Sequence, residues 1–262
     1  MKRLSISMTL ILVGVYIFLI TPILIIVVIS FNSASYLSFP PEGFSFRWYA
    51  SFFSSGTFLN SLYLSLYVAI ITSIISVFIA TPAALYYVNY LTSAREKFRI
   101  AIISPMLLPE VLTSIALLFF FNNFMAGISN AWPLVIGHVV ITTPLVFLIV
   151  TSSLFNMPPS INEAAATLGA GAYTSFKYIT FPIIKSGIVT GGMLSFIISF
   201  DNVNISILLK PIGNNPLPIQ LYDYIRYDFD PTAAAASTIS ITLTLGIVLM
   251  IDRLYGLKTV RF

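Results

Sequence analysis

The 262-residue chain has no cysteine, so neither a disulfide framework nor thiol chemistry is open to it. Charge is nearly as scarce: Asp, Glu, Lys and Arg make up 8 % of the residues, against about 25 % in a soluble domain. From Val111 to Asn162 none of the four occurs. The basic residues are thinly spread between apolar stretches, which excludes a nucleic-acid surface. The single histidine, His138, is too few for a metal site and reads as a packed helix residue. G-x-x-x-x-G-K-[ST], H-E-x-x-H and G-x-S-x-G are all missing, so neither a phosphate cradle for ATP nor a hydrolytic site is visible. On these grounds the chain is not itself an enzyme and binds no cofactor of its own.

What is abundant is hydrocarbon. Hydrophobic residues make up 58 % of the chain, and six runs are long enough to cross about 30 Å of lipid as helices. They lie at 9–31, 58–88, 100–125, 133–155, 185–209 and 233–252. The runs do not alternate polar with apolar residues, which excludes β-barrel strands and predicts an all-α polytopic protein with six transmembrane helices. Residues 1–262 then form a single transmembrane domain. The first run is too long for the core of a cleaved signal peptide and reads as a retained span.

Orientation follows from the basic residues, which concentrate on the cytoplasmic side of membrane proteins. With the N-terminus inside, Lys2, Arg3, Arg95, Lys97, Arg99, Lys177, Lys185, Arg253, Lys258 and Arg261 are cytoplasmic. Only Arg47, Lys210 and Arg226 are external. Both termini are then cytoplasmic. The external connections are 32–57, a short link near 126–132, and 210–232. Trp48 and Tyr49, in the first of these, suit the membrane–water boundary.

The cytoplasmic stretch between the fourth and fifth spans, "EAAATLGAGAYTSFKYITFP" at 163–182, is polar and small where its surroundings are apolar. Ser160-Ile161-Asn162-Glu163 has the form of a capping box and predicts a helix starting at Ser160. Ile161, Ala164, Ala165 and Leu168 fall on one face, and Gly169 stands where a helix end prefers glycine. Such a two-turn helix is unstable alone and must dock on something. A second helical piece begins near Thr174, with Pro182 marking the join to the fifth span. A bland reading remains, in which this is a capped linker and Glu163 only caps.

Glu163-Ala164-Ala165, Gly169, Ile179, Phe181 and Pro182 together resemble the EAA motif of ABC-importer permeases, E-A-A-x3-G-x9-I-x-L-P. Phe181, where leucine is usual, is the one departure and stays apolar. Softer similarities extend along the chain: "SFN" (30–32), "GF" (43–44), "WY" (48–49), "SPMLLPEVL" (104–112), "LSFIISFDNV" (194–203) and "LPIQLYDYI" (217–225). With these the chain resembles the second permease of spermidine/putrescine importers. The resemblance implies the type I, MetI-like importer fold with its core at 58–252, and a coupling loop at 158–182 that docks on an ATPase. It also implies partners: a dimer of ATP-binding subunits that uses ATP and Mg, a second homologous permease forming a heterodimer, and an extracytoplasmic solute-binding protein. The implied setting is the bacterial cytoplasmic (inner) membrane, and the implied solute a polyamine. Another organic cation, an opine-like solute, or an ion-driven secondary transporter with broken helices remain alternatives.

Two acids fall inside the expected spans, where a charge costs about 2.5–3.5 kcal/mol even on the insertion scale. Glu110 lies about 16 Å along a straight helix from Arg99, and Asp201 about 24 Å from Lys185. Both are candidates for lining a cation's route. Asp201 could instead be protonated, or satisfied by neighbouring backbone or by Asn202 and Asn204, and Glu110 by backbone freed at Pro109. In the last external loop, Tyr222, Asp223, Tyr224 and Tyr227 are candidates for amine contact or for receiving the binding protein, or else sit at headgroup level. Gly187 and Gly191 form a G-x-x-x-G that allows close helix packing.

Overall fold

The computed structural model describes residues 6–125, 127, 128, 130–228 and 230–255. Lys2, Arg3, Lys258 and Arg261, four of the residues used for orientation, lie outside the described residues. In chain order the helices are α1 (Ile6–Ile29), α2 (Arg47–Ser54), α3 (Gly56–Asn89), α4 (Arg95–Leu107), α5 (Glu110–Phe124) and α6 (Trp132–Phe155). They continue with α7 (Pro159–Thr167), α8 (Ala172–Ser175), a π-helical turn (Phe176–Thr180), α9 (Phe181–Phe200), α10 (Ser206–Leu209), α11 (Leu217–Tyr227) and α12 (Thr232–Tyr255). Among the described residues five helical stretches are long and apolar enough to cross a membrane, and α4 with α5, counted as one bent span, makes six.

Two of the expected spans differ from a plain rod. The third, expected at 100–125, is two helices bent by 98°. Pro109 disfavours helical backbone at the residue before it, and Leu108 is accordingly extended (φ −90°, ψ 144°). The depth inferred for Glu110 from a straight helix therefore does not hold. The fifth, expected at 185–209, runs instead from Ala172 to Phe200. It stops early because Asn202 turns its side chain onto the backbone, its Oδ1 accepting the Ile205 N–H at 2.8 Å.

The chain divides into two units. One comprises Met1–Leu59 with Gln220–Leu245, the other Asn60–Ile219 with Gly246–Phe262. In the first, α1 exposes apolar side chains all round, as a lipid-facing helix does (Phe18 is 78 % exposed). The loop after it is organised by the buried Asn32. Its Nδ2 donates to Ser38 Oγ (2.7 Å) and the Tyr36 carbonyl (3.3 Å). Its Oδ1 accepts the Ala34 and Glu42 N–H groups, both at 3.1 Å. Trp48 is buried, its indole N–H donating to the Asn32 carbonyl at 2.7 Å, and the Tyr49 hydroxyl pairs with Ser30 Oγ at 2.7 Å. Trp48 therefore serves the loop's own packing, its one donor spent on the Asn32 carbonyl.

In the second unit the core forms where α6 packs on α9, with α3 and α4 alongside. A Cβ on Gly187 would sit 2.0 Å from Ser153 Oγ, and one on Gly191 3.1 Å from Val146 Cγ1. The G-x-x-x-G is thus the close-packing face of α9. His138, 1 % exposed, bridges two elements: Nδ1 pairs with Ser199 Oγ (2.7 Å) and Nε2 with Ser206 Oγ (3.2 Å). It is a satisfied core residue.

Candidate functional site

The stretch at 158–182 is built around a helix stop. α7 begins at Pro159, with Pro158 as its N-cap (φ −60°, ψ 129°) and no side-chain cap. The capping box expected from Ser160 is not formed. Proline at the first helical position costs no hydrogen bond and presets φ, so Pro159 starts the helix ahead of the serine. At the other end Gly169 takes φ +80°. The Gly169 N–H reaches the Ala166 carbonyl (3.0 Å) and the Ala170 N–H the Ala165 carbonyl (2.9 Å). This paired pattern is a Schellman cap, which requires a left-handed residue and so explains the glycine.

α7 buries little of itself. Ala165 is buried, whereas Glu163, Ala164 and Ala166 are exposed and Leu168 is 88 % exposed. The apolar stripe read from Ile161, Ala164, Ala165 and Leu168 is therefore largely not turned onto this chain. Beyond it, the helix expected from Thr174 begins at Ala172 and continues through Pro182 without a break. Proline lacks an N–H and presses on the carbonyl four residues back, so the preceding turn widens. The result is the π turn, closed by the Phe181 N–H on the Phe176 carbonyl. Ile179 is half-buried there, while Phe181 and Pro182 are exposed.

The two acids expected within spans, Glu110 and Asp201, fare differently. Glu110 stands at the first position of α5, where the helix N-terminus favours negative charge. Its Oε2 accepts hydrogen bonds from Asn202 Nδ2 and Asn204 Nδ2, both at 3.0 Å. Ser114 Oγ lies 2.8 Å from the Glu110 carbonyl and 2.9 Å from that of Asn204. The asparagines considered as partners for Asp201 thus hold Glu110 instead. Asp201 caps the C-terminus of α9, is exposed, and makes no side-chain hydrogen bond or ion pair with any described residue. Sequence reasoning missed the pairing of Glu110 with Asn202 and Asn204. Its only signal was the polar string Asp201-Asn202-Val203-Asn204 in an apolar run.

Tyr222, Asp223, Tyr224 and Tyr227 all lie on α11, in the first unit. Tyr224 is structural: its hydroxyl donates to Asp230 Oδ2 at 3.0 Å and its ring lies 5.1 Å from that of Phe58. Burial, with Asp230 adding to it, pushes its phenol above the ordinary value. Tyr222 and Tyr227 are exposed, and the Arg226 guanidinium lies 5.5 Å from the Tyr222 ring. Among the described residues no group of three or more His, Cys, Asp and Glu side chains could hold a metal ion.

No family model matches the chain. It is 29 % identical over 238 residues to the spermidine/putrescine transport system permease protein PotC of Haemophilus influenzae, covering 90 % of this chain and 91 % of that one. It is 29 % identical over 230 residues to the putrescine transport system permease protein PotI of Escherichia coli K12, covering 85 % and 81 %. Among solved structures, a chain of a bacterial ABC transporter involved in the import of alginate superposes with a TM-score of 0.71 at 15 % identity, covering 98 % of this chain and 100 % of that one. A chain of the methionine ABC transporter MetNI, in inward-facing form, gives 0.66 at 15 % identity, covering 76 % and 94 %. The chain thus carries the fold of ABC transporter permeases and, along most of its length, the sequence likeness of permease proteins from polyamine transport systems.

Proposed function

We propose that the chain is a permease subunit of an ATP-driven importer that moves a polyamine across the bacterial cytoplasmic membrane. The observation that carries this reading is the short, glycine-stopped α7, whose Glu163, Ala164 and Leu168 lie uncovered. A two-turn helix is marginal in isolation, so an exposed one with a rigid stop is suited to sit in another protein's surface. That protein is a dimer of ATP-binding subunits, which binds ATP and Mg and performs the hydrolysis this chain does not. A second, homologous permease completes the membrane pair, and an extracytoplasmic binding protein delivers the solute. The importer core spans 58–252, the coupling loop 158–182, and both termini are cytoplasmic. An ion-driven carrier is disfavoured, because the fold is that of ABC transporters.

On this reading Asp201 and Glu110 compensate ammonium charge on the solute's route, and the exposed tyrosines of α11 meet either the amine or the binding protein. An acid held unpaired near the membrane is costly unless it is used or solvated, and Asp201 is the one without a described partner. The test is a cysteine at Leu168, 88 % exposed, in a chain with none of its own. A cross-link from it to the ATPase in the assembled complex supports the assignment. Efficient transport with no cross-link, and with α7 open to soluble reagents throughout, refutes it.

A further inference from the structure

Two breaks interrupt the apolar helices of the second unit, the 98° bend at Leu108-Pro109 and the end of α9 at Asp201. They are tied to each other. Glu110, the first residue after the bend, receives both Asn202 and Asn204 from the turn that ends α9. Ser114, one turn further along α5, lies within hydrogen-bond distance of the Asn204 carbonyl. Asn202 is buried and has a second task, its Oδ1 holding the Ile205 N–H that starts the return towards α10. A carboxylate accepting two amide donors at one oxygen is a charge-assisted join rather than a chance contact.

We propose that Asn202 and Asn204 are positioning residues that act through Glu110, clasping the bend of the third span to the end of the fifth so that the two breaks move as one body. The inference rests on the permease reading only for its consequence: motion of α9, which is continuous with the coupling stretch through the π turn, reaches α5 through this clasp. α9 is one helix with α8 from Ala172 to Phe200, so displacement near Pro182 is carried along it. No covalent route joins α5 to the end of α9 more directly than some 75 residues of chain.

The clasp can be reversed without changing its size. Asn202→Asp keeps an oxygen for the Ile205 N–H but turns a carboxylate onto Glu110, which opens the clasp. Adding Glu110→Gln restores a donor–acceptor pair of opposite sense with a single negative charge. Spin labels on cysteines at Leu112 and Ile207, both exposed, read the separation of α5 and α10 in the purified full-length chain. The expected result is a narrow distance distribution in the parent, a broadened one in Asn202→Asp, and a narrow one again when Glu110→Gln is added. Asn204→Asp, at an exposed position, supplies a second opening variant whose folding is not at risk. In the assembled, reconstituted complex the opened variants should take up putrescine about tenfold more slowly, as expected for loss of a hydrogen bond to a charged group, with basal ATP hydrolysis retained. A distribution in Asn202→Asp as narrow as the parent's, or one that Glu110→Gln fails to narrow, overturns the proposal. Failure of any ATPase to assemble with the chain would instead refute the permease reading and leave the distance test of the clasp standing.

Discussion

Replacing Gly169 by Asn and by Ala separates two reasons for a glycine at the end of α7. Its φ of +80° is left-handed, and a Cβ built there meets nothing within 4 Å. Within this chain, then, backbone conformation and not space demands glycine. An ordinary L-residue pays about 1–2 kcal/mol in that region, which lowers the population of the capped loop about 5- to 30-fold. Asn visits the left-handed region more readily, so its loss is smaller although its side chain is larger. The expected order of solute-stimulated ATP hydrolysis in the reconstituted complex is Gly above Asn above Ala, with membrane insertion equal in all three. Hydrogen exchange at the amides of positions 169 and 170, which close the cap, should be slowest with Gly, faster with Asn and fastest with Ala. If Ala outperforms Asn, the requirement is a bare backbone for a close-approaching partner, and the conformational reasoning fails.

Gly187→Ala should destabilise the contact of α6 with α9 by about 1–3 kcal/mol, as overpacking does, since the added Cβ falls 2.0 Å from Ser153 Oγ. Ser153→Gly in the same chain should restore most of the loss in a thermal melt in detergent, and an unchanged melt for Gly187→Ala would contradict the close packing. Single cysteines at Ser45 or Asn215 should react with an impermeant reagent from outside intact cells, and those at Ser93 or Thr174 only after permeabilisation. The reverse pattern would overturn the orientation and, with it, the coupling role of α7.

The apolar runs, the basic asymmetry and the E-A-A-x3-G pattern were readable from residues alone because each depends on composition or on spacing along one helix. A membrane span must satisfy its own backbone, so about 20 apolar residues in a row leave the chain little choice. Gly169 was legible for the same reason: a helix stop is local. Ser160 misled because two neighbouring starts competed, and the choice fell to the prolines before it. The bond from Trp48 to Asn32 was not legible, because Asn32 lies 16 positions back and no local pattern joins them.

The long-range pairings belong to another class. Nothing in the order of residues says that Asn202 and Asn204 take Glu110, 92 and 94 positions away, and leave Asp201 open. That selection depends on where the bend at Pro109 puts the start of α5, and on how close Gly187 and Gly191 let α9 approach α6. A carboxylate in an apolar run announces that it needs a partner, because burial without one is too costly. Which partner it receives is set by packing in three dimensions, since hydrogen bonds reach only about 3 Å and are blind to distance along the chain.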